Sequence, residues 1–149
     1  MAGPLVADTG GLLRAIAKRP DGRPAWPDFE RALRTASRVI VPALILAEVD
    51  YFLRQNRPAM RNLVEDIFDP TSAYEFEPTT ADDIAKAIAF DQKFRELEMG
   101  LVDGIVAAVA TRLRVYRVLT IDREDFGPLR VGERFTQKLE TAASSLLTR

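Results

Sequence analysis

Apolar positions change their period several times along this chain, and each change marks an element. Leu5, Val6 and Ala7 form a short continuous apolar run that stops at Asp8, the pattern of a strand covered on both faces. Thr9-Gly10-Gly11 predicts a turn, after which Leu12, Leu13, Ile16 and Ala17 recur at helical spacing. Lys18 to Pro24 is a loop by its Pro and Gly content, and Trp26, Phe29, Leu33 and Ala36 then resume the helical period. Val39-Ile40-Val41 is a β-branched run stopped by Pro42, hence a strand. Leu44 to Arg54 reads as a helix, and Met60, Leu63, Val64, Ile67 and Phe68 give another that ends before Pro70. Ala73 to Glu77 predicts a third strand. Thr80 with an acid three residues on, Asp83, predicts a capping box that opens a long helix through Ile84, Ala85, Ile88, Phe90 and Phe94. Leu101 to Leu113 is apolar almost all round, as in a buried helix. Val118 to Ile121 predicts a fourth strand and Leu129 to Val131 a short fifth, with a polar helix or a loose end as the tail.

Strands alternate with helices from start to finish, and no repeat or linker divides the sequence. The expectation is a single α/β domain over residues 1–149, with a mainly parallel central sheet of four or five strands. In such sheets sites form beyond the carboxyl ends of the strands.

Composition narrows the chemistry. The 149 residues contain no Cys and no His. Disulfides, thiolate nucleophiles, Ser-His-Asp triads and His-ligated zinc are therefore excluded. Acid–base or metal work would fall to carboxylates, which favour hard cations such as Mg²⁺ and Mn²⁺. A net charge of −1 announces no nucleic-acid partner. The N-terminal Met1-Ala2-Gly3-Pro4 has neither a basic region nor a long apolar stretch, and no apolar run reaches membrane-spanning length, so a cytoplasmic location is expected.

Four acids stand where an acid is awkward. Asp8 ends the first strand. Glu48 has Leu44, Ile45 and Phe52 as helical neighbours, so it is expected within an apolar stripe. Asp103 is the only charge between Leu101 and Thr111, and Asp122 follows the fourth strand directly. Taken singly, each has an ordinary role as a helix cap or turn residue. Taken together, four buried carboxylates on one point would repel strongly, and a divalent cation removes that repulsion. Thr120, two residues before Asp122, falls on the same side of an extended segment and could hydrogen-bond a carboxylate.

The segment from Phe94 through Leu101-Val102-Asp103-Gly104 to Ala110, followed by Leu119-Thr120-Ile121-Asp122-Arg123-Glu124-Asp125-Phe126, resembles the C-terminal half of a PIN domain, and more narrowly the VapC toxins of bacterial toxin–antitoxin pairs. Asp8 in Val6-Ala7-Asp8-Thr9-Gly10 and Glu48 in Ala47-Glu48-Val49 fall where that family places its first two acids. The resemblance implies a PIN-like three-layer α/β/α sandwich and a Mg²⁺- or Mn²⁺-dependent endoribonuclease. Asp8, Glu48, Asp103 and Asp122 would be the catalytic, metal-holding acids, with Thr120 in support and Asp125 as a possible additional ligand. It also implies a VapB-type antitoxin, an RNA substrate, and a toxin homodimer that forms a heterotetramer or larger assembly with the antitoxin. The chain departs from the family at Gly10, where Ser or Asn is common, and at Gly104, where Ala is common.

Setting aside the four acids leaves 18 acidic against 21 basic residues. RNA-contact candidates are Arg14, Lys18, Arg19 and Arg23 near the first loop, and Arg112, Arg114, Arg117 and above all Arg123 near the last strand. Two other readings stand beside the nuclease. One is a catalytically idle PIN domain that binds RNA or a partner protein. The other is a receiver-like phosphoacceptor domain, which is also α/β with an acid after its first strand.

Overall fold

The computed structural model describes residues 2–121, 130–131, 137–138 and 140–142. In chain order the elements are β1 (Leu5–Ala7), α1 (Thr9–Ile16), α2 (Pro27–Thr35), β2 (Val39–Pro42), α3 (Ile45–Phe52), α4 (Arg57–Phe68), β3 (Tyr74–Glu77), α5 (Ala81–Lys93), a 3₁₀ turn (Arg95–Leu97), α6 (Leu101–Leu113), β4 (Arg117–Leu119), β5 (Arg130–Val131), β6 (Gln137–Lys138) and β7 (Glu140–Thr141).

Five strands form one sheet in the order β3-β2-β1-β4-β7, and every pairing in it is parallel. β1 and β2 are buried at every residue, as strands covered on both faces must be. The helices that cover them fall into two packed groups, α1 with α2 and α3, and α5 with α6. At Gly104 α6 passes close to α5. A Cβ there would lie 2.7 Å from the Cβ of Ala87, so this glycine serves helix packing. The buried face of α6 runs without interruption from Gly104 to Ala110 and lies against β1 and β2.

Three sequence expectations are corrected. Thr9-Gly10-Gly11 is the first turn of α1 and not a separate turn before it. Two glycines cost a helix about 1 kcal/mol each relative to Ala, and packing explains their presence. A Cβ on Gly11 would fall 2.0 Å from the carbonyl oxygen of Leu119. The segment expected to be a fifth strand, Leu129 to Val131, contributes Arg130–Val131 to a separate antiparallel pair with β6. The fifth strand of the main sheet comes instead from Glu140–Thr141, in the expected polar tail, which pairs with β4 through Arg117↔Glu140 and Val118↔Thr141. The capping box holds as read: Asp83 N–H donates to Thr80 Oγ1 and Thr80 N–H to Asp83 Oδ2, each at 3.1 Å.

The strand order also bears on the phosphoacceptor alternative. Receiver-type sheets run 2-1-3-4-5. Here the order of the five strands is 3-2-1-4-5, with its reversal between β1 and β4.

Candidate active site

In an open parallel sheet the crevice for ligands opens where the strand order reverses, beyond the carboxyl ends of the strands. β1 and β4 flank that point, and Asp8 and Thr120 are the residues that follow them. Their register is fixed by backbone pairing. Ala7 lies opposite Leu119, and Asp8 N–H donates to the Leu119 carbonyl at 3.0 Å. The side chains then meet: Thr120 Oγ1 donates to Asp8 Oδ2 at 2.8 Å. Asp8 is 6% exposed and Thr120 2%. Asp8 occupies the N-cap position of α1 yet makes no side-chain cap bond; its carboxylate accepts from Thr120 beyond the end of β4.

Glu48 arrives from the neighbouring strand. β2 pairs with β1, and α3 follows β2 with Glu48 in its first turn. Thr9, the residue after Asp8, is 6% exposed and donates from Oγ1 to Glu48 Oε1 at 2.7 Å. Sequence reasoning passed over Thr9. Its only signal was its place beside Asp8, since its partner lies 39 residues along the chain.

The expected burial of Glu48 is corrected. Glu48 is exposed, and Phe52, one turn further along the supposed apolar stripe, is 60% exposed. α3 turns Ile45 and Val49 inward instead. Asp103 sits in the first turn of α6 and is half-buried at the edge of the helix's buried face. An acid there is favoured by the helix dipole. Among the described residues no group of three acids is gathered closely enough to hold a metal ion. Asp122, Arg123 and Asp125 lie outside the described residues.

The side chain of Ile121, 48% exposed, covers Gly10. A Cβ on Gly10 would come within 2.6 Å of Ile121 Cγ1. The family departure at Gly10 is thus filled by an aliphatic side chain from the chain after β4. A cavity of about 690 Å³ lined by Leu13, Leu33, Leu53, Tyr74, Glu30 and Asp66 among others includes neither Asp8, Glu48 nor Asp103.

Several of the basic candidates are already engaged. Arg112 is bidentate on Asp83, with both contacts at 3.0 Å, and it donates to Glu77 Oε1 at 2.6 Å. Arg14 stacks 4.0 Å over the Trp26 ring. Arg19 and Arg23 face Asp21 at 3.7 and 3.9 Å, and Arg117 donates to the Gly3 carbonyl at 3.1 Å. Arg112 in particular is a structural cation and not a free phosphate contact.

Comparison with known proteins agrees with this fold. The model of the PIN domain family matches residues 5–127. The chain is 27% identical over 137 residues to "Ribonuclease VapC26" of Mycobacterium tuberculosis, covering 89% of this chain and 98% of that protein. Among solved structures it is similar to Mycobacterium tuberculosis VapC20, described as a sarcin-ricin loop cleaving toxin, with a TM-score of 0.64 and 18% identity over 79% of this chain and 89% of that one. It is similar to a toxin–antitoxin complex from Klebsiella pneumoniae, with a TM-score of 0.63 and 17% identity over 89% of this chain and 98% of that one. It is also similar to VapBC2 of Rickettsia felis bound to a promoter DNA fragment, with a TM-score of 0.59 and 19% identity over 93% of this chain and 98% of that one. At these identities the structural likenesses establish the fold. No helix among the described residues is long and apolar enough to cross a membrane.

Proposed function

The chain belongs to the PIN domain family, and from that membership we propose that it is a Mg²⁺- or Mn²⁺-dependent endoribonuclease, the toxin of a VapBC-type toxin–antitoxin pair. One observation carries the reading: Asp8, at the reversal of strand order, is held by the Thr120 hydroxyl, in a chain with no His or Cys to do the chemistry otherwise. The ribonuclease relative, matched over nearly its whole length, supports the reaction class.

The donor set fits a hard divalent cation, since every candidate ligand is a carboxylate. Asp8, Glu48, Asp103 and Asp122 would hold it, with Asp125 near enough in sequence to assist. Such a cation supplies a water of lowered pKa and counter-charge for the phosphoryl transition state. The chain's own residues prepare the place. Thr120 fixes the rotamer of Asp8, and a hydroxyl on a ligand carboxylate orients it for coordination. Glu48, being exposed, leaves the crevice open to a polymer. Arg123, next to Asp122 in the sequence, would be the residue to meet a phosphate.

The Klebsiella and Rickettsia relatives are toxin–antitoxin proteins, which supports a cognate antitoxin here, with a segment that covers the acidic crevice. A homodimer is supported by the outward face of α5. Ala81, Ile84, Ala85 and Ile88 recur at i, i+3, i+4 and i+7, all exposed, an apolar stripe suited to a second copy.

Purified chain should cleave RNA with Mg²⁺ or Mn²⁺, lose cleavage in EDTA and regain it with excess Mg²⁺. Expressed alone in bacteria it should arrest growth, and Asp8→Asn or Asp103→Asn should relieve the arrest. Folded substituted proteins that remain equally toxic would overturn the site assignment. Cleavage that persists in EDTA would overturn the metal mechanism, and a folded wild type that leaves RNA intact with Mg²⁺ would favour a binding-only domain.

A further inference from the structure

Resting on the metal-dependent ribonuclease reading, we infer that Thr9 is a positioning residue that sets the carboxylate of Glu48 beside Asp8. Four observations meet at this side chain. Thr9 is the first residue of α1, directly after Asp8. Its hydroxyl is inside the protein and donates to Glu48 Oε1 at 2.7 Å. The next two residues, Gly10 and Gly11, offer no side chain, and packing against Ile121 and the Leu119 backbone keeps them bare. Glu48 itself is exposed on α3.

An exposed glutamate on a helix samples several rotamers, and a like charge next door drives it outward. Asp8, the residue before Thr9, is the acid from which that repulsion would come. A donor in the first turn of α1 counters the drift by holding one oxygen of Glu48 towards the end of β1. Threonine suits the task because branching at Cβ narrows χ1, so the hydroxyl is aimed before Glu48 arrives. A purely local role does not account for the contact. Hydroxyls that serve their own helix bond to a backbone group within four residues, as Thr111 does to the Ala107 carbonyl. Thr9 reaches 39 residues away to a different helix. The arrangement parallels the second threonine: Thr120 holds Asp8 and Thr9 holds Glu48, each by one carboxylate oxygen.

The test uses the full chain, with Mn²⁺ alone as the probe and titration calorimetry as the readout. Thr9→Val keeps the shape and removes the donor, and should weaken Mn²⁺ binding about tenfold. Thr9→Ser keeps the donor and should bind within about twofold of wild type. Both should melt within about 4 °C of wild type, since one hydrogen bond to an exposed acid is lost at most. If the valine variant does not fold, Thr9→Ala replaces it with the same expectation. Cleavage by Thr9→Val should recover as Mn²⁺ is raised to saturation. With an active wild type, a Thr9→Val protein that binds Mn²⁺ as wild type does overturns the role of Thr9 and leaves the ribonuclease reading standing. A Thr9→Ser protein as weak as Thr9→Val overturns it too. A wild type that neither binds Mn²⁺ nor cuts RNA overturns both.

Discussion

Gly11 shows how a single side chain, by its absence, joins fold to site. The first turn of α1 passes so close to β4 that a Cβ would overlap the Leu119 carbonyl. That contact brings Asp8 and Thr9 against the chain end that carries Thr120. Gly11→Ala must push α1 off β4 and should cost about 2–3 kcal/mol through overpacking, a fall in melting temperature of roughly 5–10 °C at this size. Thermal melting checks it, and a variant that melts with wild type would show that the turn can move freely. At this scale the sequence made Asp8 legible, because an acid that ends a buried apolar run has few ordinary reasons to be there. Glu48 was singled out on a weaker premise. Residues three and four apart share a helix face, but the spacing does not say which way the face turns, and here Phe52 turns to solvent. Thr9 was illegible because its partner comes from another helix.

Among elements, one cation links α6 to both α5 and β3, in addition to the direct packing of α5 on α6. Arg112 near the end of α6 holds Asp83 in the first turn of α5 and Glu77 at the end of β3. Asp83 is 2% exposed. Burial alone would raise its carboxyl, but the Arg112 guanidinium and the Thr80 cap outweigh burial and hold it below the ordinary carboxylate range. A folded-state value below the unfolded one gives stability that is fully present above about pH 4 and lost as pH falls through the folded value. Acid unfolding should therefore begin below about pH 4, and Arg112→Met should remove much of that dependence. The same substitution leaves a buried carboxylate without its cation and should cost about 3 kcal/mol at neutral pH. Urea titrations at pH 7 and pH 3.5 measure both effects, and an Arg112→Met protein as stable as wild type at pH 7 would contradict the account. The sequence alone offered Arg112 as an RNA contact, since its acidic partners stand 29 and 35 residues away.

At the scale of the molecule, the sheet brings Asp8 and Thr120 to one point. The β3-β2-β1-β4-β7 order brings the ends of β1 and β4 together, and β7 closes the other side of β4. β7 is only two residues long, yet Glu140 N–H and Ala142 N–H bond to carbonyls of Tyr116 and Val118. Deleting residues 137–149 should bare the edge of β4, lower the melting temperature and weaken cleavage together, because Thr120 is the next residue after β4. Circular dichroism melting and an RNA cleavage assay test this. A truncated chain that keeps both properties would show that β4 holds its register without its outer neighbour.

The sequence by itself determined the alternation of strands and helices, the buried helix α6, the capping box at Thr80 and the acids at chain positions where a nuclease site would need them. Those features are local: periodicity and caps are written in residues a few positions apart. Only the tertiary structure decided the strand order, the origin of the fifth strand in the tail, the outward turn of Glu48 and the two threonine-to-carboxylate bonds. Each of these depends on residues 39 to 112 positions apart or on a two-residue strand with no periodicity of its own. Their partners are chosen by packing and backbone register, which no short stretch of sequence contains.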